Sequence, residues 1–92
     1  GSTLTVSDSM LKSERGIGIG LTDSANVTLN NTSIISGQET FESTFTKSGQ
    51  TQNLSLGDGT NATQNNGTLL KVNRATAGGD GIVNLNLQAG SS

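Results

Sequence analysis

Leu4-Thr5-Val6-Ser7-Asp8-Ser9-Met10-Leu11 can be laid over Val27-Thr28-Leu29-Asn30-Asn31-Thr32-Ser33-Ile34 at an offset of 23 residues. Apolar residues then meet at Leu4/Val27, Val6/Leu29 and Leu11/Ile34, Thr5 meets Thr28, and small polar residues fill the rest. The column continues at Leu54-Ser55-Leu56-Gly57-Asp58-Gly59, 27 residues on, and at Leu85-Asn86-Leu87-Gln88-Ala89-Gly90, another 31 on. A second column runs through Ile17/Ile19, Phe41/Phe45 and Leu70/Val72. Self-similarity at 20 to 50 residues is the mark of stacked repeats, and here the repeated unit is a short alternating burst.

Such alternation of apolar and polar residues is the pattern of a strand with one buried face. It recurs at Ile17-Gly18-Ile19-Gly20-Leu21, Leu70-Lys71-Val72 and Val83-Asn84-Leu85-Asn86-Leu87, with Gly, Asn, Asp and Ser between bursts. No window keeps apolar residues at helical spacing, so essentially no helix is expected. Parallel neighbours need a crossover of a dozen residues or more, which the offsets supply without any helix. The expected fold is all-β: a right-handed parallel β-helix, or solenoid, of about three coils, with residues 1–92 as a single segment. Leu4, Val6, Val27, Leu29, Leu54, Leu56, Leu85 and Leu87 are its inward candidates, and loop insertions are expected at 38–52 and 60–67. The alternative is an antiparallel β-sandwich, for which Asp58-Gly59, Asn66-Gly67 and Asp80-Gly81 would serve as hairpin turns.

Composition narrows the chemistry. The 92 residues hold no His, Cys, Tyr or Trp, which removes Ser-His and Cys-His nucleophile pairs, His or Cys metal sites and disulfides. Catalysis would rest on carboxylates alone. Charged residues make up 13% of the chain, about half the usual share, and the net charge is −2, which is no footprint for nucleic acid or an anionic membrane. Ser, Thr, Asn and Gln replace the missing charge, and they compete with helical backbone. Pro is absent, so every position can offer an N–H to a ladder. Apolar runs stop at two residues, as in Ile34-Ile35, so this segment is not expected to insert in a membrane or to act as a signal core. Gly1-Ser2 with no Met is read as the start of a mature or excised segment.

Three segments, Gly1 to Ser9, Ala25 to Ile34 and Gly81 to Ser92, resemble passenger domains of Gram-negative autotransporters, the pertactin-like parallel β-helix adhesins. The likeness is one of composition and strand rhythm over nearly the whole chain. It implies a fragment of a secreted, cell-surface passenger, joined in its parent chain to an outer-membrane β-barrel. It also implies adhesion, autoaggregation or biofilm formation, with a second copy or a host or bacterial surface receptor as partner.

Other motifs have plainer readings. Asn-x-Ser/Thr triplets start at Asn26, Asn30, Asn31, Asn53, Asn61 and Asn66, which this composition largely explains; stacked Asn side chains would form ladders along the coil corners. Gly78-Gly79-Asp80-Gly81 is one imperfect copy of a calcium-binding nonapeptide, too few oxygens for the ion, so no metal and no cofactor is expected. Gly16, Gly18 and Gly20 lack dinucleotide spacing and are read as leaving room for a neighbouring chain or loop. Glu39 and Glu42 are the nearest carboxylates for glycoside hydrolysis, yet the only aromatics are Phe41 and Phe45. A polysaccharide-acting β-helix enzyme, a phage-type spike and an antiparallel pilin-like adhesin module are therefore the alternatives to a non-enzymatic adhesin segment. Open strand edges favour association, with only a few residues such as Lys12 and Lys71 suited to block them, and Thr28 and Asn30 are the candidate self-association residues.

Overall fold

A computed structural model describes residues 1–74 and 79–92 of the chain. Ten strands follow one another: β1 (Ser2–Ser7), β2 (Met10–Ser13), β3 (Ile19–Thr22), β4 (Ala25–Asn30), β5 (Ser33–Ser36), β6 (Phe41–Phe45), β7 (Gln50–Leu56), β8 (Asn61–Gln64), β9 (Leu70–Arg74) and β10 (Gly81–Leu87). They form three sheets, ordered β1-β4-β7-β10, β2-β5-β8 and β3-β6-β9. Every third strand therefore returns to the same sheet one layer on, and all seven pairings are parallel. The described residues contain no helix. This is a parallel β-helix of about three coils, and the parallel ladders exclude the antiparallel sandwich.

The register is the one read from the sequence. Leu4 pairs with Val27, Val27 with Leu54, and Leu54 with Leu85, so the offsets of 23, 27 and 31 are coil lengths. Val27, Leu29, Leu54 and Leu56 share one core cluster with Leu21, Ala25, Ile34 and Phe41. Leu29 and Leu54 are fully buried, as inward residues of middle layers must be. Leu4, Leu85 and Leu87 keep the inward register but are 43%, 36% and 59% exposed. These strands have a partner strand on one side only, so half of each inward side chain's packing is missing. The second column is also partly different. Ile19, Phe41 and Leu70 align, whereas Val72 pairs with Ser43 and not with a Phe.

The expected loop insertions at 38–52 and 60–67 are corrected by strands. The first range contains β6 and the start of β7, the second contains β8. Both strands hide polar residues on their inward face: Ser43 lies between buried Phe41 and Phe45, and β8 turns only Ala62 and Gln64 inward. Extra residues do gather at corners. The corner after β3 is 23–24 and the one after β6 is 46–49; the corner after β4 is 31–32 and the one after β7 is 57–60.

Corners and core are held by polar groups. Thr32 and Thr60 are buried at successive layers of one corner, and their hydroxyls donate to the carbonyls of Asn30 (2.8 Å) and Leu29 (2.9 Å). Buried Gln52 donates from Nε2 to the Asp23 carbonyl at 2.9 Å, and Gln64 Nε2 donates to Thr40 Oγ1 at 2.7 Å. Gly18, expected to leave room for a neighbouring chain or loop, leaves it for the next coil of its own solenoid: a Cβ there would lie 2.6 Å from Ser36 Oγ and 2.7 Å from the Thr40 carbonyl, in the corner before β6. At the next corner Asp23 adopts φ 56°, and its carboxylate accepts from the Thr46 hydroxyl and from the Thr46 N–H at 2.8 Å. The Thr46 hydroxyl, then the Thr46 amide, holds the Asp23 carboxyl below the usual carboxylate range, with smaller help from Lys47.

Three expectations follow from this packing. Leu29→Ala should cost about 2 to 5 kcal/mol, read from urea denaturation; a loss below about 0.5 kcal/mol would place Leu29 outside the core. Ser43→Ala should raise stability by about 1 kcal/mol, because Ser43 Oγ is buried without a hydrogen-bond partner and alanine removes that desolvated hydroxyl. Asp23 binds its proton less readily folded than unfolded, so its stabilisation is complete above the unfolded value near pH ~4 and is lost as pH falls through the lowered folded one. The melting temperatures of wild type and Asp23→Asn should differ at neutral pH and converge in acid; a constant gap would refute the linkage.

Candidate interaction surface

Alternation along the first sheet turns Leu, Val and Ala inward and sets Thr3 and Thr5 of β1, Asn26 and Thr28 of β4, Asn53 and Ser55 of β7, and Asn84 and Asn86 of β10 outward. The register then stacks them. Thr3, Asn26, Asn53 and Asn84 form one column, and Thr5, Thr28, Ser55 and Asn86 the next, with no residue skipped between strands. Asn53 Nδ2 donates to Asn26 Oδ1 at 2.8 Å, and Asn84 Nδ2 donates to Asn53 Oδ1 at 3.0 Å. The middle amide, Asn53, thus has both its donor and its acceptor end held, by the layers on either side. Asn86 Nδ2 makes a longer contact to Ser55 Oγ at 3.5 Å.

All seven acids and all five bases lie outside β1, β4, β7 and β10. The other two sheets carry charge on their strands: Lys12 on β2, Glu42 on β6, and Lys71 and Arg74 on β9. Lys12 makes a loose ion pair with Glu14 at 3.7 Å, too exposed to contribute much. The strands of the first sheet therefore present an uncharged outer face of hydroxyls and amides, with the exposed Ile82 of β10 beside Thr51 at one end.

Thr28 sits half-buried near the middle of this plane, and Asn30 is exposed at the end of β4, beside the corner. Asn30 Oδ1 lies over Gly57, where a Cβ would collide with it. The Asn ladder expected at the coil corners runs mainly along the strand face; the corner itself holds one link, Asn31 Nδ2 donating to Asp8 Oδ1 at 2.9 Å. Glu42 accepts from Asn73 Nδ2 at 3.1 Å on the outside of β6, and Glu39 lies in the corner before it, so neither is in the plane. Of the glycine-rich motif, Gly78 lies outside the described residues, and no group of three or more acids that could hold a metal ion occurs among those described. The sequence reading missed the buried Thr32 and Thr60 and the Asp23 clamp. The Thr pair is signalled only by recurrence of a hydroxyl residue two places after Asn30 and three after Gly57, a polar column that an apolar template does not seek.

No protein-family model, no curated protein and no solved structure matches this chain. The chemistry of the surface must be read from its own groups.

The ladder makes a measurable coupling. Asn53→Ala should cost about 1 kcal/mol by removing two side-chain hydrogen bonds. A double-mutant cycle with Asn26→Ala should return a coupling of roughly 0.5 kcal/mol or more, since the two amides are direct partners. Strict additivity would show that the ladder does not form in solution.

Proposed function

We propose that this chain is a non-enzymatic segment of a secreted bacterial cell-surface passenger, acting in adhesion or self-association through the outer face of its first sheet. The observation that carries the reading is the neutrality of that face: the fold confines every charge to the other sheets and to residues outside the strands of this one. Two such planes approach each other without stripping water from ions, whose desolvation is the largest penalty a protein surface can present. The likeness of Gly1 to Ser9, Ala25 to Ile34 and Gly81 to Ser92 to autotransporter passengers supports display outside the cell, and the same likeness would attach the parent chain to an outer-membrane barrel.

Magnitude shapes the mode of action. Four strands ~4.8 Å apart and about 20 Å long offer roughly 300 to 400 Å², against about 800 Å² per partner in a stable complex. One segment should hold its partner weakly. A longer solenoid repeating the same plane would add such contacts, and linked weak contacts gain far more than their sum.

Sedimentation of the 92-residue chain across about 10 to 500 μM should show weak, concentration-dependent self-association that high salt does not abolish. Thr28→Lys or Asn30→Lys should remove it, and Thr63→Lys, outward on β8, should not. A folded monomer at every concentration, or equal loss with Thr63→Lys, would overturn the reading.

A further inference from the structure

We infer that the outer face of the first sheet is a binding site for the surface of crystalline ice. The inference rests on reading that face as the adhesive one, and it names a ligand other than a second copy. Parallel pairing without a skipped residue from β1 to β10 keeps the outward columns straight. Side chains repeat every ~4.8 Å across the strands and roughly 6.6 Å along them, from each outward position to the next. This is a rectangular net of two columns and four ranks; its shorter repeat is close to an oxygen spacing on a prism face of hexagonal ice, and its longer repeat falls short of the other one. A solid with a translational lattice is met rank by rank, so an area too small for a stable protein partner is enough for a regular one.

The groups in the net suit water as a neighbour. Each Thr hydroxyl and each Asn amide both donates and accepts, as a lattice water does. The ladder through Asn26, Asn53 and Asn84 fixes the amides before any ligand arrives, so little side-chain freedom is lost on contact. An ion would orient its hydration shell radially and break tetrahedral order, and the face has none. Neither of the other sheets offers such a net. The second has Met10, Lys12 and Ile35 outward, the third Glu42 and Lys71. Phe41 and Phe45 are buried, so the plane has no aromatic platform for a sugar ring.

The test is partition of the 92-residue chain into a slowly growing ice hemisphere, with recrystallisation of fine ice as second readout, at a concentration where sedimentation shows monomer. Wild type should be enriched in the ice several-fold over a non-binding protein and should keep crystals small. Thr28→Lys should lose both effects, and Thr63→Lys should keep both. Thr5→Lys, at an exposed position of the same net, stands in if Thr28→Lys melts below the assay range. Exclusion of the folded wild type from ice, or adsorption unchanged in Thr28→Lys and Thr5→Lys, overturns the inference. Because the protein is monomeric in this assay, ice adsorption with no self-association at any concentration would sink self-contact alone, and the reverse result would sink ice binding alone.

Discussion

Val27 lies between Leu4 and Leu54 in a parallel ladder, and this in-register stacking of each coil on the next is the constraint on which the rest of the structure depends. A strand of four to seven residues has no hydrogen-bonding partner within its own coil; its partners are one turn away in sequence. Core and ladder therefore form together. Inward residues of one coil pack on those of its neighbours, which is why the same Leu register gives complete burial at Leu54 and majority exposure at Leu87. Stability in such a stack is a property of adjacent layers more than of any one coil.

Stacking also fixes what the corners must be. Asp8, Asn31 and Gly59 occur at the turn between the first and second sheets and Gly90 at the equivalent place after β10, with φ of 53°, 46°, 78° and 88°. The left-handed region is tolerated best by Gly and, among the others, by Asn and Asp, and those are the residues the sequence supplies. The side chains then act across layers: Asn31 donates to Asp8, and at the opposite turn Asp23, also left-handed, takes the hydroxyl and amide of Thr46. Coil length can grow at these turns because the strands on either side keep their register.

Legibility in the sequence followed the chemistry of the inward face. Where that face is apolar, as in Leu4/Val6, Val27/Leu29 and Leu54/Leu56, the offsets alone gave strand, register and parallel direction. Where it is polar, alternation vanishes from view. β8 turns Ala62 and Gln64 inward, and β6 places Ser43 between two Phe residues, so both lie in ranges that read as loops. Buried hydroxyls bond backbone carbonyls, Thr32 that of Asn30 just before it and Thr60 that of Leu29 one coil earlier, and a carbonyl is a partner that no sequence pattern reveals. For the surface, Thr28 and Asn30 were legible as outward neighbours in one strand. The Asn ladder's exact course was not, because it depends on which outward column meets which, a consequence of three different coil lengths acting together.

The distribution of charge gives the solenoid a sense of direction. A neutral plane rich in Asn and Thr on an all-β scaffold carries a hazard, since flat uncharged strands are templates for further association. Here only one of three sheets is neutral; Lys12, Glu42 and Lys71 make close approach to the other two costly in ion desolvation. The same segregation leaves the uncharged strands on one side of the solenoid alone. All the charge behind the net −2 lies outside the strands of the first sheet.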